Sequence, residues 1–326
     1  MFNLIITRKQ RMRNKRLLLP LLLCFGSLFA QKPKEIGLIS DNDLYTSFKH
    51  DRYYTNGIEL FYRYLAYTGD EKLAKVIGEV KAGQYMYNPQ SVKAEDINVH
   101  DRPFAGYLFA QAGANIFYKS ESVLKLNFEL GIVGKESLAE AFQKGLHNVF
   151  NYPKVRGWEY QIHTTLGVQV GAFYSHKVLA KQLHEKVDLH ILAKAKAGTI
   201  FTGITAGPMM RISFKRPLKP VYDSTLYGAT LSEGSKCGDQ TREFFLFISP
   251  KVNYQIYDAT IQGSLFNDDS PVTFPLIPWR FEAETGAMYR KNIWNLSFSF
   301  NYQGKELTNN VIQGFYYGRI GVSYLL

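Results

Sequence analysis

Polar and ionisable residues are concentrated in three short clusters in the first third of the chain. The first is Asp41-Asn42-Asp43, the second runs from Asp51 to Gly57 and contains Thr55, and the third runs from Asp101 to Gly106. The carboxylate and amide oxygens near Asp41 and Asp43 are the ligands that a hard cation such as Ca²⁺ prefers. Asp, Asn and Gly are also the usual turn residues. The first two clusters taken alone are therefore equally compatible with a turn, and the third is compatible with a loop-to-strand corner that carries an aromatic girdle residue.

A fourth candidate segment, Lys135 to Phe150, has helical spacing. Gln143 and His147 are four residues apart, which places them on one helix face. Histidine titrates near neutral pH and is a common general base, although a histidine on a surface helix is more often solvated than catalytic. The opposite stripe is apolar and needs a barrel wall or a lipid to lie on. It consists of Leu138, Phe142, Leu146 and Val149.

The usual local signatures of soluble hydrolases are missing from the sequence. It contains no Gly-X-Ser-X-Gly motif, no Cys-X-X-Cys pair and no phosphate-binding loop. These absences exclude the common Ser-His-Asp hydrolase on an α/β fold. The histidines other than His147 show no recognisable metal-ligand spacing.

The elements that carry these clusters have the period-2 alternation of β-strands with one apolar and one polar face. Most are 10 to 15 residues long, whereas strands of soluble proteins usually have about 5–6 residues and tilted membrane strands about 9–11. Length and even number favour a twelve-stranded antiparallel transmembrane β-barrel over a soluble β-sandwich. The segments are 34–43, 57–66, 75–87, 106–118, 122–134, 158–175, 187–198, 200–214, 242–255, 278–290, 293–303 and 314–326.

Composition and the N-terminal region agree with this class. Aromatic residues make up 15% of the 326 residues, and no apolar run after residue 30 is long enough for a spanning helix. Residues 1–30 read as a signal peptide, with a basic stretch over 8–16 and an apolar stretch over 17–30. The barrel then occupies 31–326. Six basic leader residues account for more than half of the net charge of +11, so the charge does not indicate nucleic-acid binding. Only Cys237 remains after the leader, which excludes an intrachain disulfide.

Strand parity predicts that the four candidate segments meet. If the barrel begins in the periplasm, the connections after odd-numbered strands are extracellular and mostly long. All four segments then lie at one rim. The long segment 215–241 falls at the opposite end, and the pattern assigns it no role.

These motifs, in this order, resemble the lipid A 3′-O-deacylase family of Gram-negative outer membranes. The resemblance rests on Asp41-Asn42-Asp43, Tyr54 to Gly57, Asp101 to Gly106, and Gly131-X-X-Gly134 followed by the Gln143/His147 helix and Gly157-Trp158. It covers residues 35–165. It implies a Ca²⁺-dependent esterase in the outer membrane that removes 3′-linked acyl or acyloxyacyl chains from lipid A, as a monomer. The site would lie between the outer barrel wall and the loop helix.

The resemblance also implies roles for individual residues. The catalytic or ion-site residues would be Asn42, Asp43, Thr55 and His147. Asn42 and Asp43 would bind Ca²⁺, and His147 would activate the water. Arg102 and Gln143 would support the site, and Lys93 would contact a lipid phosphate.

The sequence departs from the family at one point and leaves two rival functions open. Some members carry a carboxylate about six residues after the helix histidine, where this chain has Asn151-Tyr152-Pro153. Glu159 or Glu140 would have to replace it. The rivals are an outer-membrane phospholipase that uses the same rim, and a non-enzymatic porin or adhesin. Twelve strands are few for an open pore, which favours the enzyme.

Overall fold

A computed structural model describes residues 33–46, 53–91, 94–178, 185–233, 241–266, 269–309, 311 and 313–326. Twelve antiparallel strands close into a barrel, in which every strand pairs with its chain neighbours and the last pairs with the first. The strands are β1 (Lys34–Asn42), β2 (Tyr53–Thr68), β3 (Leu73–Asn88), β4 (Ala105–Tyr118), β5 (Val123–Val133), β6 (Thr165–Lys177), β7 (Val187–Gly198), β8 (Phe201–Ile212), β9 (Arg242–Asp258), β10 (Trp279–Lys291), β11 (Trp294–Gly304) and β12 (Gly314–Leu325).

The alternation read from the sequence maps onto the two faces of the wall. On β5, Leu126, Phe128 and Leu130 are exposed on the outer surface. Glu129, between them, is buried and accepts a hydrogen bond from Tyr107 Oη at 2.6 Å. Apolar residues outside and hydrogen-bonded polar residues inside are the pattern of a barrel surrounded by lipid. No helix in the described part of the chain is long and apolar enough to span a membrane.

All twelve predicted strands are present, and the main boundary error is at β6. This strand starts at Thr165 and not at residue 158, because Trp158–Tyr160 forms a 3-10 turn whose first side chain is buried. The predicted helix over 135–150 is α1 (Ala139–Val149), preceded by a separate 3-10 turn. A second helix, α2 (Ala259–Gln262), is a single turn that the sequence did not predict. The predicted leader, residues 1–30, lies outside the described residues.

The segment between β8 and β9 closes one end of the barrel. Residues 218–231, called the plug here, bury Val221, Leu226, Ala229 and Leu231 against the ends of several strands. Lys75 Nζ donates hydrogen bonds to the carbonyls of Ala229 (2.8 Å) and Leu231 (2.5 Å). Much of the segment without a predicted role is therefore an internal stopper. Residues 234–240, which include Cys237, lie outside the described part.

Between the plug and the opposite end lies a lumen of about 560 Å³. Its lining at that opposite end is an aromatic cluster in which Tyr54 packs against Tyr85, Tyr87 and Tyr317. The connections after the odd-numbered strands all emerge here, as parity predicted. We call this the site end of the barrel.

Candidate active site

Five residues from five neighbouring strands form one continuous row on the outer wall near the site end. The register pairs Asn42 with both Gly318 and Asn56, then Asn56 with Met86, and Met86 with Gly106. With about 4.8 Å between strands, the row is about 19 Å long. We call Gly318, Asn42, Asn56, Met86 and Gly106 the outer row.

Neighbouring side chains show that the row faces outwards. Asp41, one residue before Asn42, points into the lumen, where it accepts hydrogen bonds from Tyr54 Oη and from Arg319 Nε and Nη2, each at 2.7 Å. Tyr54 and Arg319 both line the lumen. Because side chains alternate along a strand, Asn42 lies on the other face, towards the lipid.

The two glycines at the ends of the outer row leave room for the two elements that pack against the wall there. A side chain at Gly318 would overlap Tyr45, in the 3-10 turn Asp43–Tyr45. A side chain at Gly106 would overlap Ser137 and Ala139, at the start of α1. The turn and the helix therefore rest on the wall at opposite ends of the row. Asn42, Asn56 and Met86 form the floor between them.

Asn42 ends β1 and begins the 3-10 turn that carries Asp43. Its Oδ1 accepts a hydrogen bond from Leu44 N at 2.7 Å, which is the usual N-cap arrangement. Thr46 Oγ1 donates to the carbonyl of Asp43 at 2.8 Å and closes the turn. Asp43 is only 4% exposed. The predicted pair is thus held rigidly at one end of the outer row.

Thr55 is the extra residue of a β-bulge between β2 and β3. The register passes from Tyr54 to Asn56 on β2 while it advances by one residue on β3. Thr55 is buried, with its Oγ1 at 3.5 Å from the carbonyl of Met86. A bulge redirects the side chain beside it, and bulges are frequent near active sites. This one brings Thr55 against the floor of the row.

Asn56 is a candidate site residue that the sequence reasoning did not select. It stands directly opposite Asn42, and its Oδ1 is buried without a hydrogen-bond partner among the described residues. A buried amide oxygen left unbonded is costly and calls for a ligand or an ion. Its place beside Thr55 was visible in the sequence. Its opposition to Asn42 was not, because that depends on the strand register.

Helix α1 presents its polar face to the barrel and its apolar face outwards. Ala139, Gln143 and His147, at intervals of four, are its buried residues. Leu138 and Val149 are 61% and 74% exposed. Of the two surfaces considered for the apolar stripe, the structure therefore selects the lipid side and not the barrel wall. The polar face is available to the site.

A small core under the helix fixes its position. Trp158 packs there, and its Nε1 donates to Gln143 Oε1 at 2.8 Å. The helix contacts both β4 and β3. The members of this core are Met86, Ala94, Phe104, Ala139, Val155 and Trp158. Met86 belongs to the outer row as well, so the helix and the floor share one packed unit.

The family comparison gives the same assignment as the motifs. The model of the family described as outer membrane protein LpxR matches residues 17–326. This chain belongs to the LpxR family. LpxR of Salmonella typhimurium superimposes with a TM-score of 0.70 at 16% identity, over 89% of this chain and 99% of that one. The chain therefore has the fold of the LpxR family, a closed twelve-stranded barrel in the outer membrane.

More distant barrels also match in structure. The translocator domain of the autotransporter NalP from Neisseria meningitidis has a TM-score of 0.41 at 14% identity and covers 99% of each chain. The β-domain of the Bordetella autotransporter BrkA has a TM-score of 0.43 at 8% identity, over 90% of this chain and 98% of that one. No curated protein gave a significant match.

One predicted supporting residue of this LpxR-family chain, Arg102, is not at the outer row. Arg102 is fully buried beneath the loops of the site end, where it donates to Thr260 Oγ1 at 3.0 Å and lies 4.3 Å from the centre of the Tyr87 ring. Its Nε is 3.5 Å from Glu306, whose pKa burial raises although the neighbouring Arg102 and Arg280 lower it. Arg102 therefore holds loops together on the lumen side. Lys93 lies outside the described residues.

The donor set of the outer row suits a hard cation. Within the described ranges, no three His, Cys, Asp or Glu side chains are placed to hold a metal ion. The oxygen ligands available are the amide oxygens of Asn42 and Asn56 in the row and the carboxylate of Asp43, the residue that follows Asn42. Oxygen-only sites that include amide groups are typical of Ca²⁺, whereas zinc sites need histidine or cysteine.

Proposed function

We propose that this chain is a Ca²⁺-dependent esterase of the outer membrane that removes the 3′-linked acyl or acyloxyacyl chains of lipid A. The observation that carries the proposal is the outer row. Polar groups on the lipid-facing wall of a barrel lower its stability in the membrane, so their presence there indicates a function. Here they lie beside a helix whose buried histidine also faces the wall. Membership of the LpxR family supports the same activity.

Each residue would have one task in ester hydrolysis. His147 would accept a proton from the attacking water, because a neutral imidazole is a common general base. Thr55, held against the floor by the bulge, would orient the water or the substrate by a hydrogen bond. Asp43, Asn42 and Asn56 would hold the cation. Ca²⁺ bound there would polarise the ester carbonyl and stabilise the oxyanion that develops.

The plug argues against the porin alternative. It fills the end of the barrel opposite the site with buried apolar side chains and hydrogen bonds to Lys75. An open pore needs a continuous water-filled path through the lumen. The outer row also lies outside the lumen, so its chemistry acts on the membrane and not on a solute in transit.

Mass spectrometry of lipid A tests the proposal. Cells that express the wild-type chain should lose acyl mass from lipid A when Ca²⁺ is present and retain it with a chelator. His147→Ala should retain full-length lipid A. His163→Ala, an exposed histidine outside the helix, serves as the matched control and should behave as wild type.

Two outcomes would contradict the proposal. Unchanged lipid A with a correctly folded wild-type barrel would remove the deacylase assignment. Release of fatty acid from glycerophospholipids, with lipid A intact, would assign the site to a phospholipase.

A further inference from the structure

The end of helix α1 folds back on His147. Phe150 N donates to the carbonyl of Leu146 at 3.0 Å, and Tyr152 N donates to the carbonyl of His147 at 2.8 Å. Between them Asn151 has a left-handed backbone, with φ of 55°. This is the pattern of a Schellman cap, in which glycine or asparagine takes the left-handed position. Asparagine adopts that conformation more readily than most residues.

The turn delivers a backbone carbonyl to the imidazole. Pro153 O is 2.7 Å from His147 Nδ1. A carbonyl oxygen can only accept a hydrogen bond, so the proton of this bond must be on Nδ1. In the neutral ring the lone pair is then on Nε2. The Tyr152 ring meets the imidazole edge to face at 5.5 Å and further limits its rotation.

We propose that the Pro153 carbonyl is the positioning group for His147, and that it holds the imidazole as the Nδ1–H tautomer with Nε2 as the basic atom. Its catalytic meaning rests on the proposed function, in which His147 is the general base. The two glutamates considered as substitutes are engaged elsewhere. Glu140 pairs with Lys144 at 2.6 Å, and Glu159 accepts from Gly157 N at 3.2 Å.

The Pro153 carbonyl can perform one of the two functions of a carboxylate beside a histidine. Either acceptor fixes the tautomer and the ring orientation, as in other sites where histidine Nδ1–H is bound by a backbone carbonyl. Only a carboxylate adds a full negative charge, which stabilises the imidazolium formed when the ring takes a proton. Proline suits this position because it has no N–H to compete and its fixed φ limits where the carbonyl points.

Nitrogen NMR on the full-length protein tests the tautomer without any substrate. The chain would be labelled with ¹⁵N-histidine and studied in lipid nanodiscs above the pKa of the ring, with His147 assigned by its loss in His147→Gln. We expect Nδ1 to be protonated and Nε2 unprotonated. A ring protonated at Nε2 in the wild type would overturn the proposal.

Two variants of Asn151 test the turn. Asn151→Val disfavours the left-handed backbone because its side chain is β-branched, and it should release His147 to a tautomer mixture and lower kcat with little change in KM. Asn151→Gly accepts the left-handed backbone and should restore both the tautomer and kcat. An unchanged His147 spectrum in Asn151→Val would also overturn the proposal. If the Nδ1–H tautomer is present and His147→Gln is fully active, the proposed function fails while the tautomer assignment stands.

Discussion

The methyl group of Ala139 occupies the space that a side chain at Gly106 would need. One residue without a Cβ on β4 therefore sets how closely the loop helix approaches the barrel wall. The contact belongs to a core in which Ala139 and Met86 both take part. Through it the height of the helix above the floor depends on a single position of the strand.

Gly106→Ala should separate the helix from the wall. The added methyl would overlap Ser137 and Ala139, so the first turn must shift. A displacement of about 1 Å at a catalytic site costs on the order of a hundredfold in rate, and we expect a loss of that size in lipid A deacylation. Gly145→Ala is the matched control, because nothing lies within 4 Å of its added methyl. Equal activity of the two variants would contradict this account.

Trp158→Phe should loosen the helix without emptying the core beneath it. The variant keeps most of the ring and loses the 2.8 Å hydrogen bond to Gln143, which leaves a buried amide oxygen unbonded at a cost of about 1–3 kcal/mol. Hydrogen exchange of residues 139–149 should become faster while exchange in the strands is unchanged. Trp294→Phe, on the exposed outer wall, is the control. Unaltered helix protection in Trp158→Phe would exclude this role for the bond.

Asp43→Asn and Asn56→Ala should raise the Ca²⁺ concentration needed for half-maximal activity. Asp43→Asn removes the negative charge, and Asn56→Ala removes the buried Oδ1 that has no protein partner in the described part of the chain. We expect tenfold or larger shifts, by the arithmetic of about 1.4 kcal/mol per decade. Asn148→Ala, exposed on α1, should leave the calcium curve in place. An Asn56→Ala curve that superimposes on the wild-type curve would remove Asn56 from the ion site.

Phe142→Ser and Val149→Ser should weaken activity on membrane-embedded lipid selectively. Both side chains are exposed on the outward face of α1, where they would contact acyl chains of the outer leaflet. Turnover of a short-chain ester in detergent should be nearly unchanged, because the polar face of the helix is untouched. Asn148→Ser is the control on the same helix. Parallel losses on both substrates would indicate damage to the site and not to lipid contact.

The wild-type barrel should show no steady conductance in planar lipid bilayers. Replacing residues 221–231 by a Gly-Ser linker should produce one, because those residues fill the plug end of the lumen. The replacement removes the ordered carbonyls of Ala229 and Leu231 that accept from Lys75, as well as the apolar side chains of the plug. A conducting wild type would show that the plug does not close the lumen. A folded linker variant that remains closed would show that something other than the plug seals it.

The barrel was predictable because each strand has its own local alternation of apolar and polar residues. Alternation identified all twelve strands, and parity then brought the polar clusters to one end. The plug was not predictable, because residues 218–231 have no periodicity and are ordered only by strands distant in sequence. The bulge at Thr55 was also not predicted, because the predicted second strand began only at residue 57.

The details of the site depend on relationships that no local pattern contains. Asn56 becomes a neighbour of Asn42 only through the register of β1 and β2. The apolar stripe of α1 was recognisable from the sequence. Whether it faces the wall or the lipid was not, because that depends on the contact of Ala139 with Gly106 on β4. The carbonyl of Pro153 could not be foreseen from residue type, because a backbone atom and not a side chain meets the histidine.

Because the candidate site lies on the outside of the wall, the relevant substrate concentration is the one within the membrane. The outer row opens towards the plane of the membrane, and the lumen behind it is stopped by the plug. Under the proposed function, substrate arrives by two-dimensional diffusion within one leaflet, and the deacylated lipid leaves by the same route. Turnover should follow the mole fraction of substrate in that leaflet, so that diluting it with inert lipid slows the enzyme even when the total amount of substrate is constant.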